Sequence, residues 1–445
     1  MSLYSGLLTG VAIPARDLLR GRRYAQYRAF LTRSQWWSAD ELRAFQWREL
    51  RKLLECAFES VPYYRQKYGS AGARLEDIRS WEDFAKLPPL TRAEVNAHGS
   101  ELCSTSFGGK LLPHATGGSS GVPTRFYRTF ESYDWRTAAR DRVYSWAGLN
   151  HGERTVYLWG APLGKVSRKS RWQEAASELL QRRLVLNTFS QDEQLWMQVH
   201  ARIMAFQPRT VVGYVSSLQG FSAFLQQKKL PLPPLKGIIA AAEPLLSDDR
   251  EQIAAGFRAP VFNTYGSREF MSMAGECERR EGLHINAENV LLETAEPDRP
   301  APIYVTDLHN FGMPFLRYEI GDVGTLMGSA CECGRGLPRL RSVDGRVLDA
   351  LRTADGRVVP GEFFPHLLKD IPEIREYQVV QRALDRIEIV AIISGPVSER
   401  SQAFLQAEIR KAFGGNMSCE IKPVDRIPRL QSGKRRVTMG MDQGK

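Results

Sequence analysis

Cysteine is scarce in this chain, with six in 445 residues. That is too few for a disulfide scaffold, and a chain this long buries enough apolar surface to fold without one. No apolar run reaches the roughly 18 residues that a spanning helix requires. The first 20 residues are apolar but interrupted by Pro14, Arg16 and Asp17, with no basic leader, so no signal peptide is expected. Internal repeats and low-complexity tracts are missing. With 43% hydrophobic and 25% charged residues, the composition excludes wholesale disorder, collagen and coiled coil. Acidic residues are in the minority, 50 against 61 Lys and Arg, for a net charge of +11. That balance predicts an anionic partner: a nucleotide, a coenzyme, an anionic lipid or a nucleic acid. The histidines show no Ser–His or His–Asp spacing of a hydrolase triad.

What is present divides the chain. Residues 16–36 carry Arg16, Arg20, Arg22, Arg23, Arg28 and Arg33, with Tyr24, Tyr27, Phe30, Trp36 and Trp37 between them. The pattern predicts an amphipathic helix whose basic face is simply solvated, or contacts single-stranded nucleic acid or a membrane surface. Ser38 and Glu41 form a capping box. Leu42, Phe45, Leu50, Leu53, Leu54 and Ala57 then keep helical spacing as far as Val61-Pro62. From about 110 to 340 the pattern is α/β, and the apolar runs 211–215, 237–240 and 259–262 read as buried strands. Ligands gather at the carboxyl ends of such strands, which directs attention to Ala242-Glu243-Pro244 and Asn263-Thr264-Tyr265-Gly266. Beyond about 347, two β-like stretches (376–380 and 387–393) and a helix near 398–413 predict a small α+β unit. The expected domains are 1–346, with a helical arm at 1–60, and 347–445.

The most distinctive segment is Thr116-Gly117-Gly118-Ser119-Ser120-Gly121-Val122-Pro123-Thr124. Backbone N–H groups of such a loop fold round phosphate oxygens while hydroxyls donate further bonds. It is not a Walker loop, because no Lys-Ser/Thr follows its last glycine. An ordinary surface turn is the alternative reading. Separately, Cys277 and His284 precede a Cys-x-Cys-Gly turn formed by Cys331, Cys333 and Gly334. Three sulfurs and one imidazole are a donor set that tetrahedral Zn²⁺ prefers, and filling all four positions makes such a site structural. The alternative is three buried thiols and a core histidine. Cys56, Cys103 and Cys419 read as packing residues. The metal-ligand arrangement of Cys277, Cys331 and Cys333, with too few cysteines for a disulfide scaffold, predicts a reducing, cytoplasmic setting.

The glycine-rich loop resembles the Thr-Ser-Gly-Thr-Thr-Gly-Lys-Pro-Thr phosphate loop of adenylate-forming enzymes, in particular the phenylacetate–CoA ligase branch and its capsular-polysaccharide relatives. Gly117 stands at the usual Ser and Val122 at the usual Lys. Other landmarks follow in family order. Ala241-Ala242-Glu243-Pro244 resembles the adenine-pocket segment. Asn263 to Glu269 resembles the aromatic-Gly-x-Thr/Ser-Glu motif, with Arg268 at the hydroxyl position. Arg317 to Asp322 resembles the Arg-Tyr-x-x-x-Asp element, and Gly345-Arg346 the Gly-Arg before the hinge, with Leu348 and Asp349 after it. Pro428 to Lys434 resembles the loop of the catalytic lysine.

The resemblance implies an adenylate-forming ligase fold with a mobile C-terminal domain, using ATP and Mg²⁺ to activate a small-molecule carboxylic acid and coenzyme A as acceptor. It assigns catalysis to Lys434 and Glu269. Nucleotide binding falls to Thr116, Gly118, Ser119, Ser120, Gly121, Thr124, Ala242, Glu243, Pro244, Tyr265, Gly266, Asp322 and Arg346. Trp159, Gly160, Tyr214 and Ser216 fall beside the acyl pocket, or in the core. An amine or sugar acceptor, a degenerate scaffold and an anionic-surface binding protein remain alternatives, and no nucleic acid is implied.

Overall fold

The structure, a computed structural model, describes residues 3–116, 124–159, 178–188, 193–295, 298–344, 351–353, 358–359, 361, 363–368, 371–415, 417–427 and 437–440. These fall into two compact units. One comprises the described parts of Met1–Ala115, Thr124–Trp146 and Asn263–Asp344; the other comprises those of Thr116–Pro123, Ala147–Phe262 and Gly345–Lys445.

The first unit opens with helices. The expected basic helix over 16–36 is broken: Ile13–Arg20 ends at Gly21, whose φ is 59°, and Tyr24–Ser34 starts afresh. A left-handed residue cannot continue a right-handed helix. Ala39–Ser60 forms as expected, with the reciprocal Ser38–Glu41 capping box and Leu42, Phe45, Leu50, Leu53, Leu54 and Ala57 all buried. Strands β1 (Leu112–Ala115) and β2 (Arg125–Arg128) pair antiparallel, and the helix Phe130–Trp146 comes next.

In the second unit β3 (Thr155–Trp159), β4 (Arg183–Asn187), β5 (Thr210–Tyr214) and β6 (Gly237–Ala241) form the parallel row β6-β5-β3-β4. Every residue of β5 and β6 is buried. Near-continuous apolar runs are what a sheet covered on both faces requires. Leu218, Phe221 and Phe257 from the flanking helices complete that core.

The α/β expectation holds for that row but not for the strands after β6. β7 (Val261–Ser267), β8 (Met271–Glu276), β9 (Leu283–Ile285), β10 (Val290–Thr294), β11 (Ala301–Asp307), β12 (Tyr318–Met327) and β13 (Arg339–Asp344) pair antiparallel, in the row β10-β11-β12-β13-β9-β8-β7. Their connections are too short for the crossover that parallel neighbours need. Asn263 to Ser267 of that motif therefore lie inside a seven-residue strand, and only Arg268 and Glu269 fall beyond its end.

The last part of the chain is α+β, as expected. After the hairpin β14 (Leu351–Arg352) and β15 (Val358–Val359) come β16 (Ile374–Ala383), β17 (Arg386–Ile393), β18 (Ser418–Pro423) and β19 (Thr438–Met439), ordered β18-β17-β16-β19. The helix Glu399–Phe413, capped by Ser398, adds Leu405, Ile409 and Phe413 to a core with Tyr377, Val379, Ile387 and Ile389.

One buried ion pair fastens the first unit. Arg142 donates to both carboxylate oxygens of Glu288 at 2.6 and 2.8 Å and to Asn286 Oδ1 at 2.7 Å. Their side chains are 2% and 0% exposed. Breaking such a pair leaves an uncompensated charge, so Arg142→Met or Glu288→Ala should each lower unfolding free energy by about 3–5 kcal/mol. Urea denaturation should show the double variant losing less than the two single losses added, because the second removal relieves the charge stranded by the first.

Candidate nucleotide and metal sites

Several of the residues expected to bind nucleotide meet in the first unit. Tyr265 on β7 and Asp322 on β12 lie 57 positions apart, yet the Tyr265 hydroxyl donates to Asp322 Oδ2 at 2.9 Å. Gly266 follows at a close crossing: a Cβ there would sit 2.1 Å from the Met271 carbonyl oxygen of β8. Only glycine allows that approach without separating the strands. The next turn carries Glu269, 4% exposed. Tyr318 donates to Glu269 Oε1 at 3.5 Å, and the Arg92 guanidinium lies 3.8 Å from the same oxygen.

Sequence reading missed Arg92. Its placement follows from local rules: Thr91 caps the helix Arg92–Ala97 through a reciprocal box with Glu94. Leu90 is hydrogen-bonded on both sides to the chain at the start of β12, to Arg317 just before it and Glu319 within it. Together these direct Arg92 to Tyr318, to which its Nε donates at 3.4 Å. Burial alone would lower the Arg92 guanidinium. The Tyr318 phenol and the carboxylates of Glu269 and Asp322 outweigh it and hold the group above its ordinary value. The Thr91-x-x-Glu94 pattern was a readable start signal for the helix, but nothing local showed what Arg92 would face.

The second unit holds the remaining described residues, except Thr124. Ala242 adopts φ 68°, left-handed for a residue with a side chain, a strain that concentrates at functional sites. Next to it Glu243 accepts from the Ser216 backbone N–H at 2.6 Å and its hydroxyl at 2.9 Å. Desolvation nonetheless raises the Glu243 carboxyl above its ordinary value. An adenine-segment residue and an acyl-segment residue are thus in direct contact. Pro244 is exposed. Trp159 and Tyr214 stack at 4.1 Å, Tyr214 only 1% exposed within the core that includes Tyr377 and Phe363. Thr116 in this unit and Thr124 in the first are both buried. Gly118, Ser119, Ser120, Gly121, Gly160, Arg346 and Lys434 lie outside the described residues.

The cysteine–histidine set converges in the first unit. The donor atoms of Cys277, His284, Cys331 and Cys333 all lie within 4.8 Å of one another. Cys277 and Cys331 sulfurs are 3.9 Å apart, too far for a disulfide and close to the ~3.8 Å edge of a tetrahedron with 2.3 Å Zn–S bonds. His284 Nδ1 is 3.3 Å from the Leu337 carbonyl, and its Nε2 is 3.3 Å from the Cys333 sulfur. A proton on Nδ1 donated to Leu337 leaves the Nε2 lone pair toward the sulfurs. Burial and the nearby Arg335, Arg339 and Arg142 hold the imidazole down to about 4, so it is neutral at physiological pH. Gly334, at φ 81°, makes the turn that returns its N–H to Cys331.

Arg335, also missed from sequence, braces this centre. It donates to Gln35 at 3.0 Å and to Glu278 at 2.9 Å, and its guanidinium lies 4.9 Å from the Trp36 ring centre and 5.0 Å from that of Trp146. Burial would raise the Cys333 thiol, but the Arg335 backbone N–H and guanidinium outweigh it and hold that thiol below its ordinary value. Cys277 is pushed by burial up to about 12.

Comparison with known proteins gives a consistent kinship. Residues 351–440 match the CapK C-terminal domain. The chain is 26% identical over 442 residues to the phenylacetate–coenzyme A ligase of Thermus thermophilus, covering 89% of this chain and 96% of that one. It is 24% identical over 364 residues to Protein CapK of Staphylococcus aureus, covering 79% of each. Among solved structures, a 2-hydroxyisobutyryl-CoA ligase in its thioesterification state superposes with a TM-score of 0.61 at 18% identity, covering 91% of both chains. The chain is therefore a homologue of proteins named phenylacetate–coenzyme A ligase and CapK, with a CapK C-terminal domain at 351–440 and the fold of an adenylate-forming CoA ligase.

Proposed function

We propose that the protein is an ATP-dependent acid–CoA ligase. A carboxylate oxygen attacks the α-phosphorus of ATP, the bond to the β-phosphate breaks, and pyrophosphate leaves. The thiol of coenzyme A then attacks the acyl carbon and loses its proton, and AMP departs with the acyl–oxygen bonding pair. The observation that carries this reading is the Tyr265–Asp322 hydrogen bond. It unites the residues that the resemblance assigns to adenine and to ribose, with Glu269 on the turn after β7. The relatives named phenylacetate–coenzyme A ligase, and a solved CoA ligase holding an acyl-adenylate and coenzyme A, support it.

Tyr265 would pack on adenine, Asp322 would grip the ribose hydroxyls, and Glu269 would hold Mg²⁺. Glu269 is a buried, hard oxygen donor of the type Mg²⁺ takes, and the ion would neutralise phosphate charge. Arg92 and Tyr318 orient the Glu269 carboxylate. Ser216 holds Glu243, Trp159 and Tyr214 support the acyl side, and Lys434 supplies the charge for the first half-reaction. The C-terminal domain, 347–445, would move about a hinge near Arg346–Asp349 between half-reactions. The alternative is an amine or sugar acceptor in place of the thiol, which the resemblance to capsular-polysaccharide relatives keeps open. Cys277, His284, Cys331 and Cys333 would hold a structural Zn²⁺, because their neutral imidazole and three sulfurs have the donor chemistry and spacing of a closed tetrahedral site.

Three outcomes test this. A carboxylate panel assayed with ATP should reveal an acid that releases AMP and pyrophosphate. Product analysis with and without coenzyme A then separates thioester formation from transfer to another acceptor. Lys434→Ala should lose about 10²–10³-fold in pyrophosphate release while still making thioester from a synthetic acyl-adenylate. Pyrophosphate release at the parental rate would remove the lysine from the chemistry. Purified protein should carry about one zinc per chain, and Cys331→Ser should lose it and melt well below the parent, since structural zinc contributes on the order of 10 kcal/mol to folding. A metal-free preparation that melts like the parent would end the zinc assignment.

A further inference from the structure

The start of the chain carries an exposed apolar face that the ligase reading does not use. Leu3–Leu7, Leu8–Ala12 and Ile13–Arg20 run on from one another as helix, the middle turn being wider. One side is anchored. Leu8 and Ile13 enter the core built by Tyr24, Tyr27, Leu31, Phe45 and Trp135. Asp17 accepts from the Ala25 backbone N–H at 2.7 Å. The other side shows Leu3 at 93%, Leu7 at 64%, Val11 at 60% and both Leu18 and Leu19 at 85% exposure. Five of the 14 large apolar side chains exposed among the described residues thus lie within one short helical stretch. A soluble helix ordinarily turns such residues inward, and a contiguous apolar face kept in water marks a contact surface.

The surrounding charge has one sign. Between residues 3 and 37 there are six arginines and a single acid, Asp17, which is buried and bound. Arg16, Arg20, Arg23 and Arg33 are exposed. We infer that this face docks on an anionic lipid surface, with Leu3, Leu7, Val11, Leu18 and Leu19 entering the headgroup–acyl boundary and the arginines meeting lipid phosphates. No helix among the described residues is long and apolar enough to cross a membrane, so the segment lies on the bilayer rather than through it. Charge selects the occupant. A second copy of this chain would bring the same arginines against these and repel them, whereas an anionic bilayer attracts each basic residue near its surface.

The inference stands independently of the ligase reading, and its test needs no substrate. Full-length protein should sediment with vesicles containing phosphatidylglycerol, far less with phosphatidylcholine alone, and progressively less as salt rises. Leu18→Ser combined with Leu19→Ser should weaken partitioning by at least about tenfold at an unchanged melting temperature, given the transfer energy of two leucines. Leu3→Ser with Leu7→Ser is the second variant, should the first fold poorly. Failure of the parent to bind anionic vesicles, equal binding to neutral ones, or a soluble dimer that these substitutions dissociate would each overturn the inference.

Discussion

The Arg142–Glu288 pair is the fixed point of the first unit, because its partners lead into several different elements. Arg142 lies in the helix Phe130–Trp146 and donates to the Leu31 carbonyl at 3.1 Å, and Ser34 donates to Glu288, so the helix Tyr24–Ser34 is tied to it. Asn286, held by the same guanidinium, donates to the Ser272 carbonyl of β8 at 2.9 Å. Gln46 reaches the Ala287 carbonyl at 2.9 Å from the helix Ala39–Ser60. The segment between β9 and β10 is thereby clamped where two sites begin: β9 carries His284, and β8 lies against Gly266 of β7. A buried pair that shares hydrogen bonds with several neighbouring elements specifies one arrangement of the elements that supply them.

Charge compensation recurs at the proposed nucleotide site. Glu269 is buried with a guanidinium and a phenol beside it, so its carboxylate is not left alone. The cysteine–histidine centre is treated differently. Its imidazole is neutral, Cys277 is raised by burial, and Cys333 is held down by Arg335, whose guanidinium also reaches Glu278 and Gln35. On the proposed reading the first site would exchange its ligands during turnover, and the second would hold a permanent ion beside β9 and the loop before β13.

The exposed face of the first helices and the proposed chemistry impose different demands on the same unit. A docking helix must stay anchored while its outer side remains apolar, and the core of Leu8, Ile13, Tyr27 and Trp135 meets that demand. The stacking of Tyr27 on Trp135 at 4.2 Å, and of Trp135 on His309 at 3.9 Å, carries the anchoring inward to Glu288, whose carbonyl is 2.8 Å from His309 Nε2. The helix and the Arg142–Glu288 clamp belong to one packed layer.

Local chemistry in the sequence determined a good deal. The Ser38–Glu41 box started a helix in the right place, apolar runs marked β5 and β6, and β-like stretches marked β16 and β17. The cysteine–histidine set was legible as a group, because Cys-x-Cys-Gly implies its own turn and Cys277 and His284 precede it; that its donor atoms meet was decided by the fold. The order of motifs disclosed the kinship, since each motif is short enough to be read without knowing its neighbours. Other features depended on partners distant in the chain. Whether β7 pairs parallel or antiparallel is set by connection length and by the Gly266–Met271 crossing, not by strand composition. Tyr265 meets Asp322 only once β7 and β12 share a sheet. Arg92 and Arg335 look like any surface arginine until Leu90 is bound to β12 and the Cys331–Gly334 turn is closed. The break at Gly21 turned a basic stripe into an anchored helix with an apolar outer face. Sequence determines a residue's chemistry and local conformation, but the burial and opposing charges that assign it a role are decided by contacts that only the folded chain makes.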